Sequence, residues 1–195
     1  MIETLTRKET YTVDEYFALD SQSEQKLEYH NGNVMAMSGG TTTHSKIALR
    51  IGAMLLQLLD DQSYEVYSSD IKIQLPKYHK FVYADASVVR GAPEHYLGRR
   101  DTIVNPLLVV EVLSPSTARH DRSSKFMMYR TLPSLREYVL VEQDHPSVTT
   151  FFRNPAGHWE DTDQADPSGK VQLRAIDGEI PLAQLYKGVD FATER

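Results

Sequence analysis

The 195-residue chain contains no cysteine. Disulfides, zinc–thiolate sites and cysteine nucleophiles are therefore excluded. Long apolar runs are also missing. The most apolar stretches, residues 47–59 and 107–113, are interrupted by Arg50, Gln57 and Glu111. Both fall well short of the roughly 20 apolar residues that cross a bilayer. The first nine residues hold no apolar segment of the kind a secretory leader carries. These absences lead us to expect a cytoplasmic protein with no membrane partner. A basic excess is lacking too: 21 Lys and Arg face 27 Asp and Glu, a formal charge of −6. That balance argues against a broad electrostatic grip on nucleic acid. What is present, 41% hydrophobic and 25% charged residues, is ordinary for a folded domain. The length fits a single domain over 1–195, with 1–10 as an N-terminal tail.

Periodicity and turn chemistry predict the element order. Thr12, with Glu15 three residues on, predicts a capped helix over 12–19. Asn31-Gly32 between residues 27–30 and 33–37 predicts a hairpin, because this pair readily takes positive φ. Ile47, Ile51, Met54, Leu55 and Leu58 form an apolar stripe on a helix over 44–59. Strands follow over 65–67, 70–75 and 81–89. Residues 107–113 are almost continuously apolar, which predicts burial on both faces in the centre of a mixed sheet. Ser114-Pro115-Ser116-Thr117 caps a helix over 118–131. Two more strands cover 137–141 and 148–152. The polar segment 154–170, with Trp159 as its aromatic centre, reads as a loop or hairpin at an edge. Pro181 opens a short terminal helix. The expected class is α/β: a mixed central β-sheet flanked by helices, with extra C-terminal β-hairpins.

Two acids stand where strands are otherwise apolar. Glu111 lies among Val110, Val112 and Leu113, and a charge there costs several kcal/mol unless it is paired, hydrogen-bonded or metal-bound. Asp85 lies within residues 82–89, another interior strand, although Asp is depleted in strands. If these strands are neighbours, the carboxylates converge. Oxygen donors without a His/Cys cluster suit Mg²⁺ or Mn²⁺ better than Zn²⁺. Asp121 and Lys125, four apart on the following helix, share a face. A lysine beside two metal-binding acids can orient an attacking water or offset charge developing on a phosphorane-like transition state.

Tyr11-Thr12-Val13-Asp14-Glu15-Tyr16, Leu27-Glu28-Tyr29-His30-Asn31-Gly32 and Tyr83-Ala84-Asp85 form an ordered set of motifs. With them stands Val110-Glu111-Val112-Leu113-Ser114-Pro115-Ser116-Thr117, followed by Asp121 and Lys125. Over about residues 11–186 this set resembles the Uma-two family, endonucleases of the PD-(D/E)XK restriction-endonuclease-like superfamily. The resemblance implies a restriction-endonuclease-like core and Mg²⁺-dependent hydrolysis of DNA phosphodiester bonds. It implies Asp85 as the first metal ligand, Glu111 as the second, and Glu28 as an early acid near the metal. Asp70 matches an acid between the central strands. Ala84 stands where the wider nuclease pattern has proline, and Leu113 where a plain motif has lysine. Lys125 then supplies the amine.

Each residue also has a plainer reading. Glu111 can be satisfied by a basic partner, Lys125 can pair with Asp121 on a surface, and Glu28 and Asp70 can be turn acids. Asp121 can orient Lys125 or cap the helix. His44, in the first turn of its helix, can meet a phosphate or cap. Arg122, with Arg119, Lys125, Arg130 and the Arg99-Arg100 pair, can track phosphates locally. Trp159 reads as edge packing. Two other functional readings stand beside the nuclease: an inactive nuclease-like fold serving as a nucleic-acid-binding or assembly module, and hydrolysis of a different phosphoester. A homodimer is expected, since nucleases of this fold often pair and the C-terminal strands look edge-like.

Overall fold

The computed structural model describes residues 10–37, 39–59, 63–113 and 124–191. Helix α1 (Val13–Asp20) begins where the capping box predicts. The Thr12 hydroxyl accepts the Glu15 N–H at 3.2 Å, and the Glu15 carboxylate accepts the Thr12 N–H at 2.8 Å. Strands β1 (Leu27–His30) and β2 (Asn33–Ala36) pair antiparallel around Asn31 and Gly32, at φ 47° and 96°. Helix α2 (Thr42–Leu58) starts two residues before the expected start at 44, because the Thr41 hydroxyl takes the His44 N–H at 3.1 Å. Then come β3 (Tyr64–Ser68), β4 (Lys72–Leu75), β5 (Lys80–Tyr83), β6 (Ala86–Arg90), β7 (Thr102–Ile103) and β8 (Leu108–Leu113). They are followed by α3 (Phe126–Tyr129), β9 (Glu137–Glu142), β10 (Val148–Arg153), β11 (Trp159–Gln164), β12 (Lys170–Leu173), β13 (Gly178–Pro181) and α4 (Leu182–Leu185).

The expected α/β class holds, with the strands dealt into more than one sheet. Among the described residues, one five-stranded sheet runs β2-β1-β5-β4-β7 and one six-stranded sheet runs β11-β10-β9-β8-β6-β3. β12 and β13 form a separate hairpin. β8 is the buried central strand, antiparallel to β6 and parallel to β9, with every residue buried. Residues 81–89 do not form one strand. The chain leaves the first sheet after Tyr83 and joins the second at Ala86, with Ala84 and Asp85 between. The helix expected over 118–131 is α3 in its described part, with Lys125 as its N-cap position; residues 114–123 lie outside the described residues. Pro181 precedes α4 at its N-cap instead of opening its first turn.

Each sheet face has its own cover. On one face of the six-stranded sheet, Ile47, Ile51 and Leu55 of α2 pack with Val88, Val110 and Val112. On the other, Val109 and Leu113 pack with Phe126, Tyr129 and Tyr138. α1 closes the five-stranded sheet through Tyr16, Phe17, Tyr29 and Phe81. Trp159 meets Phe126 edge-on at 5.2 Å, so it packs the edge as expected.

Glu137, fully buried at the start of β9, ties the chain beyond β12 to the sheet. Its carboxylate accepts the Ala175 N–H at 2.8 Å and the Arg174 N–H at 3.2 Å. Burial pushes its carboxyl up to about 7, against the pull of those bonds and of the Arg174 charge. Between the usual glutamate value of 4.5 and about 7 the folded chain therefore holds a proton the unfolded chain has released. Unfolding free energy should fall as pH rises through that window. Urea unfolding at a series of pH values checks this, with Glu137→Gln flattening the slope. A wild-type stability that rises between mildly acidic and mildly alkaline pH would contradict it.

Candidate active site at the seam between the sheets

Pairing of β6 with β8 ends at Ala86 opposite Val110, so the next position on each strand carries an acid: Asp85 and Glu111. Beyond that end the Val112 N–H has no strand partner on the β6 side. The Asp85 carboxylate takes it at 2.7 Å, while the Asp85 N–H reaches the Val110 carbonyl at 3.1 Å. Asp85 thus holds the two sheets together as a strand would, but through its side chain. The same Oδ2 lies 3.3 Å from His44 Nε2, delivered by the first turn of α2.

Glu28 comes from the other sheet. Its Oε1 accepts the Tyr83 N–H at 3.0 Å, and its Oε2 lies 2.8 Å from His30 Nε2. Burial pushes the Glu28 carboxyl up. The His30 bond, the Lys125 charge and the Tyr83 N–H outweigh it and hold the group below its usual range. Glu28 is therefore ionised at neutral pH.

Glu111 is 4% exposed. Lys125 Nζ donates to its Oε2 at 3.1 Å and Tyr129 donates to its Oε1 at 3.1 Å. Lys125 and Tyr129 are four apart, one helical turn, so one face of the segment carries both groups to one carboxylate. Burial, then the Glu111 charge, push the Tyr129 hydroxyl well up, so it stays a donor. A second amine belongs here as well. Lys80 stands opposite His30 across β1 and β5, and it feels both Glu28 and Lys125 electrostatically. Burial and the neighbouring Lys125 charge lower its pKa, while Glu28 opposes them.

Of the expected site residues, Glu28, Asp85, Glu111, Lys125 and His44 come together around this seam. Asp70 does not join them by any direct contact among the described residues. It sits in the β3–β4 turn with its side chain 74% exposed, bonded to Lys26 at 2.6 Å and Ser68 at 3.2 Å. Asp121 and Arg122 lie outside the described residues. Arg99 is not a spare phosphate contact: its guanidinium pairs with Asp101 at 3.1 Å and lies 3.8 Å over the Phe17 ring. Tyr129, Lys80 and His30 were missed. The signals for two of them were present: His30 is two from Glu28 on a strand, and Tyr129 is four from Lys125.

Among the described residues, one group of three ligating side chains has all its ligand atoms within 4.8 Å: Glu142, Asp144 and His145, at the end of β9 and in the turn after it. It is a possible acidic metal-binding triad apart from the expected one. The Glu28, Asp85 and Glu111 oxygens are less closely gathered, each directed by its own partners. No helix among the described residues is long and apolar enough to cross a membrane.

Residues 13–183 match the family described as "Uma2: Putative restriction endonuclease". Two curated relatives from Synechocystis sp. (strain ATCC 27184 / PCC 6803 / Kazusa) align with the chain. The uncharacterized protein slr1290 is 32% identical over 180 residues, covering 91% of this chain and 92% of its own. The uncharacterized protein sll1609 is 30% identical over 132 residues, 68% of this chain and 75% of its own. The crystal structure at 1.96 Å of "a putative nuclease belonging to DUF820" from Anabaena variabilis ATCC 29413 superposes with a TM-score of 0.73. That match covers 90% of this chain and 97% of that one at 15% identity, and it establishes a shared fold.

Removing Lys125 takes an ammonium away from the buried Glu111 carboxylate. Lys125→Met should therefore cost about 3 kcal/mol at neutral pH. Much of that loss should return when Glu111→Gln is added, since the double variant no longer buries the charge that Lys125 offsets. A double-mutant cycle by chemical denaturation measures both. A cost below about 1 kcal/mol, the range of exposed ion pairs, would mean that the pair is not the compensation described.

Proposed function

The chain belongs to the Uma2 family, and from that membership we propose that it is a metal-dependent endonuclease hydrolysing DNA phosphodiester bonds at the sheet seam. The observation that carries this reading is that Asp85 and Lys125, from separate parts of the chain, both bond to the end of β8, Asp85 to the Val112 N–H and Lys125 to Glu111. Glu28 stands on the neighbouring sheet, and Lys125 acts on its charge as well.

The donor set fits a hard divalent cation. Three carboxylates supply oxygen only, and among the described residues they stand near two lysines. Mg²⁺ keeps several waters and is usually held by one or two carboxylates together with substrate phosphates. It does not require the three acids to be gathered tightly. Asp85 and Glu111 would hold the ion, Mg²⁺ or Mn²⁺, with Glu28 alongside. A bound ion would polarise the phosphoryl oxygen and lower the pKa of its water.

The remaining work falls to the chain's own groups. Tyr129 keeps one Glu111 oxygen directed, and Lys125 stands at the other. From there the ammonium can orient a water or offset charge developing on the phosphate. Lys80 adds a second positive group on the Glu28 side. His44 approaches Asp85 from the N-terminal turn of α2, where the helix end favours a phosphate.

One observation favours a second reading, an inactive nuclease-like module for binding or assembly. Both oxygens of Glu28 and both of Glu111 already have protein partners. A cluster satisfied this way can be purely structural.

Cleavage of closed circular plasmid DNA separates the two. We expect cleavage with Mg²⁺ that is lost to chelation. Asp85→Asn and Lys125→Met should each slow it by about 100-fold or more, with circular dichroism confirming folding. Calorimetric titration with Mn²⁺ should show binding weakened by Asp85→Asn and Glu111→Gln. Cleavage unaffected by these changes would overturn the assignment of the site. A folded wild-type chain that neither binds metal nor cleaves favours the module.

A further inference from the structure

α2 buries one face and leaves the opposite face bare. Leu49 is 77% exposed and Leu56 is 59% exposed. Ala53 is exposed between them, and a Cβ placed on Gly52 would meet nothing within 4 Å. Exposed leucines on a single helix stripe call for a cover.

The pattern of the stripe says what the cover is. Leu49, Gly52, Ala53 and Leu56 are spaced symmetrically about the middle of the Gly52–Ala53 pair. A two-fold contact requires such a pattern, since residue i must meet j while j meets i. We propose that α2 packs antiparallel against α2 of a second copy of this chain. Leu49 of each copy faces Leu56 of the other, and the two Gly52–Ala53 pairs meet at the crossing. The small residues let the two backbones approach while the leucines close over them.

Charge agrees with this direction of packing. The first turn of α2 has no acidic residue and its last turn no basic one, so its own end turns bring no opposite charge to the helix dipole. In the antiparallel pair Lys46, near one end, comes opposite the C-terminal end of the other helix, where the unpaired carbonyls carry partial negative charge. Its amine already binds a backbone carbonyl, that of Gly188, at 3.1 Å.

A competing surface for a second copy is the C-terminal edge of the six-stranded sheet, at the opposite end from β3, and it is unsuited. That edge is β11, whose exposed residues include Glu160, Asp161 and Asp163. Edge-to-edge pairing of two copies would bring like charges together. Two helices of about 25 Å laid side by side bury on the order of 1,000 Å² in total, the lower end for specific interfaces. The dimer is therefore concentration-dependent. It also leaves each seam complete within one copy.

Sedimentation equilibrium of the full chain, from low micromolar to about millimolar concentration, tests the proposal. The mean mass should climb from that of one chain toward that of two. Leu49→Glu and Leu56→Glu should each return it to one chain, without loss of the circular dichroism spectrum. Because the chain has no cysteine, introduced thiols report the register directly. A mixture of Leu49→Cys and Leu56→Cys chains should cross-link through a short bis-maleimide faster than either alone. A mass that stays at one chain throughout would overturn the proposal. So would a dimer that survives both glutamates, or thiols that cross-link no faster mixed than separately.

Discussion

Two sheets share one stretch of chain, residues 80–90, and the carboxylate of Asp85 is what joins them. A strand that changes sheets leaves ladder groups unpaired on the partner it approaches, and a buried N–H left unpaired is costly. Here the orphan is the Val112 N–H, and Asp85 supplies the missing acceptor at 2.7 Å. The seam therefore requires a short side chain with a strong acceptor at position 85. Around that requirement the rest of the site assembles. Tyr83, two residues earlier, offers its N–H to Glu28. The strand that accepts Asp85 carries Glu111 next to the bonded N–H. An acid at 85 serves the fold before it serves any chemistry.

That conclusion bears on what the sequence made legible. The hairpin at Asn31-Gly32 and the capping box at Thr12 rest on backbone demands of a few adjacent residues, and both were readable. So was the oddity of Glu111 in an apolar strand, because burial of a charge conflicts with its surroundings whatever the fold. The division of residues 81–89 was not readable. Phe81, Val82, Val88 and Val89 keep an apolar pattern through the crossing, and only the choice of neighbouring strand changes at Ala84 and Asp85. Asp70 shows the limit of motif order. Its place in the motif order said nothing of Lys26, which holds it at the surface from a different element. Lys80 depends on the pairing of β1 with β5, a contact between residues 50 apart in sequence. Tyr129 gives no sequence signal of its own, since an aromatic at helical spacing is usually core. It is core, and its hydroxyl also reaches Glu111.

A second buried charge cluster shows what a purely structural arrangement looks like in this chain. Lys72, 3% exposed, binds Asp20 at 2.9 Å and Asp101 at 3.0 Å, and Arg99 completes the group on Asp101. Two cations meet two anions. Burial works against the Lys72 charge, but its two carboxylates raise its pKa regardless. The result pins α1 to β4 and to the turn before β7. Each charge in the cluster has an opposite charge beside it, which offsets the cost of its desolvation.

The seam differs in its balance. Among the described residues, Glu28, Asp85 and Glu111 face Lys125 and Lys80, with His30 and His44 each held by a carboxylate. Among the described residues, the three acids outnumber the two lysines in a place where desolvation makes charge expensive. A fold under selection for stability alone has a cheaper solution, visible in its own Lys72 cluster. Under the proposed endonuclease reading, acids gathered at one seam attract a further positive charge, and such a local centre is compatible with an overall charge of −6. Attraction centred on one cation at a seam needs no basic surface. It draws a phosphate to one point and leaves the acidic remainder of the chain to discourage binding elsewhere along the polymer.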